Sequence, residues 1–300
     1  RLRLIIDTDA ALERDDQHAI AYALLSPDRF EILGLTAVHS GEGTLENNFR
    51  EIHTVLGLSG MRGIPVLRGA EHALLSRQAP VESPAARFIV DASRLKGEGP
   101  LVVLGLGPAT NLASALLIDP SLKERAEFVW LGGAAWPDGE GGEHNSLMDL
   151  EAQRVLFASG ARLTVVPPGN NSLSATRWIH GRNLRGVSPL ADYLNLLLVF
   201  NRFRSTEVFN ISALAAVAAL DRGGNAVRLK AAAPWIDERG HYDLSKTSGA
   251  VEVVTGIHED QSSGPHPVWD DFYRRLRETS PPENTIFEQV CRVLNTPVQP

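Results

Sequence analysis

The amino-acid sequence predicts an α/β protein: an open, mostly parallel sheet with helices on both faces. Short aliphatic runs alternate with amphipathic stretches five or six times before Pro167, the rhythm of strand–helix–strand units. Turn residues such as Gly132-Gly133 close the runs, as strand ends require. No internal repeat, low-complexity tract or linker divides the 300 residues, so one domain spanning 1–300 is expected.

The elements follow in chain order. The aliphatic run from Leu2 reads as a buried strand, and Ala19, Ile20, Ala23 and Leu24 fall at helical spacing. Phe30 to Val38 reads as a second strand, His39 to Gly43 as a loop, and Thr44 to Leu58 as an amphipathic helix. Ile64 to Leu67 is a short third strand; Glu71 to Pro84 has little periodicity and reads as an active-site loop. Ser83-Pro84 opens a helix, with proline at the first helical position. Leu101 to Leu106 is a strand, Leu112 to Leu117 a helix, Phe128 to Leu131 a strand, Leu150 to Phe157 a helix and Arg162 to Val166 a strand. Beyond Pro167 the pattern weakens. Leu190 to Phe203 and Ile211 to Leu220 read as helices, Val251 to Val254 as a strand, Val268 to Arg277 as a charged helix, and Ser280 to Leu294 as one more helix.

A content of 43% hydrophobic residues is enough for a large core. The net charge of −7 and a pI of 5.7 argue against nucleic-acid or membrane-surface partners, which select basic patches. Cys291 is the lone cysteine, which rules out an internal disulfide or thiolate cluster and reads as a bystander thiol. No apolar run reaches the roughly 18 residues that span a bilayer, and no signal peptide stands in the residues given. A soluble, cytoplasmic protein is the expectation.

The chemistry concentrates in the first turn. Asp7, Asp9, Asp15 and Asp16 crowd into ten residues between the first strand and the first helix. In open α/β sheets ligands bind at that edge. Like charges so close raise one another's pKa unless a cation neutralises them, and a hard divalent metal is the economical remedy. The plainer alternative is a solvated acidic turn with a helix cap.

Asp7-Thr8-Asp9 and Asp15-Asp16, between a strand and an Ala-rich helix, resemble the opening of the inosine–uridine type nucleoside hydrolases, Asp-Thr-Asp-Pro-Gly-x-Asp-Asp. Here Ala10-Ala11 replaces Pro-Gly and the loop is two residues longer. Further matches come in family order across roughly the first 165 residues. They are Leu33 to Val38 with Leu45-Glu46, Ile64-Pro65-Val66 with Gly69-Ala70-Glu71, Gly107-Pro108-Ala109-Thr110-Asn111, Leu131-Gly132-Gly133, Glu143-His144-Asn145, and Asp149 with Glu151-Ala152. No one match is specific; together they are strong.

The resemblance implies a Rossmann-like core and calcium-assisted hydrolysis of a ribonucleoside's N-glycosidic bond, in purine or pyrimidine salvage, by a homodimer or homotetramer. It implies that Asp9 binds the metal and acts as general base on the attacking water. Asp16, the Leu106 carbonyl and a residue near the C-terminus would complete the calcium ligands. Asp15 and Asn145 would hold the ribose hydroxyls, Glu143 would reach toward the 5′ end, and His144 would stack on the sugar or lie at the surface. The last ligand departs from the family: no Asp precedes the Ala-rich stretch at Val208 to Val217. Matching Phe209 to the family's Trp gives Asn210; matching the Ala run gives Ser212. Asn210 is favoured, because an amide carbonyl binds calcium, though without charge.

Other candidates have plain competitors. Asn111 reads as a helix cap, His39 and His72 as solvated histidines near the mouth, Trp136 as a pocket wall or a loop anchor. Asp7 is expected to orient the metal loop through backbone hydrogen bonds, and Asp270-Asp271 to be solvated. Two other functions compete. A haloacid-dehalogenase-type phosphatase also starts with Asp-x-Asp, but Leu131-Gly132-Gly133 lacks the hydroxyl it needs. A nucleoside-binding relative with a weakened metal site would keep the fold and lose catalysis.

Overall fold

Strand β1 (Leu2–Thr8) is the centre from which the sheet grows, pairing in parallel with β2 (Phe30–Ala37) on one side and β4 (Leu101–Gly105) on the other. The computed structural model describes residues 1–97, 99–137, 139–199, 208–221, 226–257 and 267–279. Strand β3 (Val66–Arg68) extends the sheet beyond β2; β5 (Ala126–Leu131) and β6 (Arg162–Val166) extend it beyond β4, all in parallel. A long β10 (Tyr242–Ile257) joins β6 in parallel, and β9 (Ala226–Ile236) ends the sheet antiparallel to it. The order is β3-β2-β1-β4-β5-β6-β10-β9. The open, mostly parallel sheet expected from the sequence is present.

Alternation along β1 shows how the two faces divide: Leu4 and Ile6 join one apolar cluster, Ile5 the other. On the first face pack α1 (Asp15–Leu24), α2 (Leu45–Ser59), α8 (Pro189–Val199), α9 (Ser212–Ala218) and α10 (Pro267–Glu278). On the second pack α3 (Pro84–Ala92), α4 (Thr110–Ile118) and α6 (Leu150–Ala158). The caps are written in the sequence. The Ser83 hydroxyl accepts from the Ala86 amide with Pro84 inside the first turn, and Asp149 accepts from the Ala152 amide. Helix α2 stops at Gly60, whose φ of 75° suits glycine. In α10, Trp269, Phe272, Tyr273 and Leu276 recur on one face and are buried, each stabilising by about 1.5–3 kcal/mol.

The differences lie where periodicity failed. The short helix α5 (His144–Met148), the ribbon of β7 (Leu173–Thr176) with β8 (Val208–Ile211), and α7 (Arg177–Leu184) have no counterpart in the pattern reading. All are under nine residues, too short for a period to register. Only the Val251–Val254 core of β10 was legible, because much of the hairpin with β9 is open to solvent. The helix expected from Leu190 is α8; its continuation to Phe203 and the C-terminal helix from Ser280 lie outside the described residues. Asp271 is not simply solvated: its carboxylate accepts from the Tyr22 hydroxyl at 2.8 Å and Arg275 Nε at 2.9 Å, tying α10 to α1.

Candidate active site

The strand order runs in opposite directions from β1 and β4, so the chain leaving their C-terminal ends opens a crevice. Asp9 follows β1 and Leu106 follows β4, at that switch point. Both line a cavity of about 260 Å3. Its walls also carry Leu12, Glu13, Asp15 and Asp16 from the first loop and α1, Glu143, His144 and Asn145 from the start of α5, and Leu131, Pro168 and Ser212.

Three carboxylates converge there without neutralisation. Asp9 is 4% exposed and its Oδ2 has no hydrogen-bond partner. Burial, and then the charge of Asp15, hold its pKa well above the carboxylate range. Asp16 is buried, accepts from the Thr8 hydroxyl, and is pushed the same way by burial and by Asp15 and Asp9. Asp15 accepts from the Ala213 amide at 3.1 Å, and burial with the Glu13 charge raises it to about 6.

The donor set suits a hard divalent cation. Among the described residues no three His, Cys, Asp or Glu side chains form a metal site unaided. A cation would therefore draw on neutral oxygens as well. The Leu106 carbonyl accepts from Asn145 Nδ2 at 2.7 Å and keeps a second lone pair; Ser212, a hydroxyl residue, lines the same cavity. The orphaned Asp9 oxygen and the raised carboxylates are what such an ion would satisfy.

Asn210 does not reach this cavity. It is exposed, paired across the ribbon with Ser174, whose hydroxyl donates to its Oδ1 at 3.0 Å. Strand β8 ends at Ile211 and α9 starts at Ser212, which lines the cavity. Asn210, expected at the last metal position, thus lies outside the cavity, and Ser212, the alternative given by the Ala run, lines it.

The turn at Glu143 is built as a cage. Its carboxylate accepts from the amides of Asn145 (2.9 Å), Ser146 (2.9 Å) and Gly133 (3.0 Å) and from the Ser146 hydroxyl. Asn145 Nδ2 donates to the carbonyls of Leu106 and Leu131, locking α5 to the ends of β4 and β5. His144 is exposed at the rim.

Several bystanders turn out to be struts. Asp7 makes the backbone bond expected, its carbonyl accepting from the Leu106 amide at 2.7 Å, and its side chain adds more: Oδ1 accepts from the Thr36 hydroxyl (2.5 Å) and Asn111 Nδ2 (2.7 Å). Burial raises its pKa to about 7. Asn111 is no cap; fully buried, it also donates to the Ala37 carbonyl and accepts from the Ala70 amide. His39 is not solvated but buried against the Thr110 hydroxyl, which donates to Asp149; burial lowers the His39 pKa to about 4. His72 is exposed and Trp136 is a loop anchor, clasped by Asn170 through both backbone groups. Asn48 was not foreseen: fully buried, it accepts from the Ala11 amide and donates to the Val38 carbonyl, holding the longer first loop. Gly107 opens the Gly107–Asn111 turn matched in the sequence, but the reason for a glycine there was not foreseen: a Cβ would meet Asp9 Oδ1 at 2.7 Å. Neither signal is visible without the tertiary contacts.

The model of the family described as inosine-uridine preferring nucleoside hydrolase matches residues 4–271. A probable uridine nucleosidase 2 of Arabidopsis thaliana is 30% identical over 194 residues, covering 55% of this chain and 59% of that protein. Uridine nucleosidase 1 of the same plant is 34% identical over 191 residues, covering 55% of each. The matched stretch thus spans little more than half the length of these relatives. Among solved structures, a purine-preferring ribonucleoside hydrolase from Gardnerella vaginalis superposes with a TM-score of 0.73 at 23% identity, covering 92% of this chain and 98% of that one. Because the family match runs from the central strand into α10, the chain belongs to the inosine-uridine preferring nucleoside hydrolase family, whose members bind a metal.

Proposed function

We propose that the protein hydrolyses the N-glycosidic bond of a ribonucleoside with the aid of calcium, releasing ribose and free base. One observation carries the reading: the buried, unpartnered Asp9 Oδ2 in a cavity shared with Asp15, Asp16 and the Leu106 carbonyl. Asp9, Asp16, Leu106 and Ser212 would hold the ion. A calcium ion held by these residues would supply Lewis-acid activation of a water and a positive centre for the oxygens of the sugar.

The chain's own groups do the rest. Asp9 Oδ2, buried and without a partner, accepts the proton of the attacking water. Asp15 accepts from a ribose hydroxyl. Asn145 spends both Nδ2 hydrogens on carbonyls, so its Oδ1 is the atom that accepts from the sugar. Glu143 is engaged by three amides and positions Asn145, with His144 free to stack on the sugar at the rim. The carboxylates stabilise positive charge as the ribosyl group becomes oxocarbenium-like. His39 is too buried and too weakly basic to protonate the leaving base.

Two relatives bear uridine in their names, which makes uridine the first substrate to try. Chelator-stripped protein restored with calcium should release ribose from uridine or inosine; no release at any calcium concentration refutes the reading. Ser212 in place of an acid favours the second reading, a nucleoside-binding relative. Binding of uridine without ribose release would support that instead. Self-association and a cytoplasmic location remain part of the proposal, testable by sedimentation and by fractionation.

A further inference from the structure

We propose that Arg14 and Arg177 form a phosphate-binding subsite at the rim of the cavity. Arg14 lies between Glu13 and Asp15, both in the cavity wall. Arg177 is the first residue of α7. The two guanidinium groups share the ring of Phe209, their Cζ atoms 4.9 Å and 5.7 Å from its centroid. Phe209 sits in β8, which runs directly into Ser212 and α9. The ring therefore joins the two cations to the cavity.

Neither guanidinium has an ion pair or hydrogen bond among the described residues, and Arg14 Nε and Arg177 Nε and Nη2 are buried without a partner. Half-buried and buried arginines elsewhere are matched: Arg275 with Asp28 and Asp271, Arg154 with the Ile236 and Asp237 carbonyls, Arg125 with Asp119. Glu13 and Asp15, its neighbours in sequence, make no ion pair with Arg14 among the described residues. Those two acids do not discharge the pair. Glu13 is exposed, and Asp15 is engaged by the Ala213 amide.

Charge decides the ligand. Two guanidinium groups carry two positive charges; a phosphate monoester carries about −1.5 to −2 at neutral pH and offers several acceptor oxygens, whereas a carboxylate carries one charge. The N-terminus of the eight-residue α7 adds a positive dipole end at the same place. The phosphate is either free or carried by a nucleotide whose sugar fills the cavity; the second source rests on the nucleoside hydrolase reading.

The test is calorimetric titration of the full chain in phosphate-free buffer with inorganic phosphate, uridine, and uridine 3′- and 5′-monophosphate. Inorganic phosphate should bind, and Arg177→Met should weaken it by about tenfold or more. Arg14→Gln is the second variant, and melting curves keep the fold of each in view. A monophosphate that exceeds uridine by tenfold or more in the wild type, and loses that advantage in Arg177→Met, identifies a nucleotide. A monophosphate no tighter than inorganic phosphate identifies the free ion. Either result supports the subsite. No phosphate binding by the wild type, or equal binding by both variants, overturns it. Absence of uridine hydrolysis with phosphate binding intact refutes the hydrolase reading alone.

Discussion

Ser212→Asp should tighten calcium binding, and Asn210→Asp should not. Ser212 lies on the wall with Asp9, Asp15, Asp16 and Leu106, and its substitution adds a full charge to a set short of one acidic donor. Two unit charges 4 Å apart interact by about 4 kcal/mol at an effective dielectric constant of 20. Burying the new carboxylate offsets part of that, which leaves the ~1.5–3 kcal/mol typical of a hydrogen bond to a charged group. Dissociation should fall by about tenfold to a hundredfold. Asn210 is exposed and bonded to Ser174, where solvent screens a new charge; its variant should stay within about twofold of wild type. Calcium titration of chelator-stripped protein by calorimetry reads both. Equal affinity in Ser212→Asp, or tightening in Asn210→Asp alone, would refute the placement of the last donor.

Asp9→Asn should lower ribose release by about a hundredfold to ten-thousandfold, the range for a general base, without lowering the melting temperature in chelator, because a buried unpartnered charge is removed. A variant that keeps most of its rate, or melts earlier, contradicts this. Gly107→Ala should cost about tenfold or more in activity, since its Cβ would stand 2.7 Å from Asp9 Oδ1 and 2.9 Å from Val38 Cγ1; steady-state rates check it. The calcium-induced rise in melting temperature should be larger at pH 7.5 than at pH 5. Asp15, raised to about 6, is protonated at the lower pH and must lose its proton to a cation. Without metal, the raised Asp7 and Asp15 hold protons that the unfolded chain has released, so their contribution to stability falls as pH rises from about 4 through their folded values. The buried His18 and His39, lowered to about 4, act in the opposite sense between about 4 and 6.5. The calcium increment, not the absolute melting temperature, therefore isolates the carboxylates, and differential scanning fluorimetry at the two pH values measures it. An equal increment at both would mean that Asp15 titrates normally.

By itself the sequence determined the parallel sheet, the first eight or so elements, and the crowding of Asp9, Asp15 and Asp16 at the end of β1, because these are local facts. A buried parallel strand must be aliphatic along its length, a helix start shows in Ser83-Pro84 or Asp149, and residues a few positions apart stay close however the chain folds. Only the tertiary structure decided what arrives from afar. Ser212 lines the cavity while Asn210 stays exposed on the ribbon because β8, paired with β7, ends at Ile211 and the chain turns there into α9. Asn111, His39, Asn48 and Asp7 became struts because partners of each lie dozens of positions away in sequence. Arg14 and Arg177, 163 positions apart, meet on one ring for the same reason. Composition and period record what each segment buries, not which segments meet, and it is the meeting of segments that sets charge against charge.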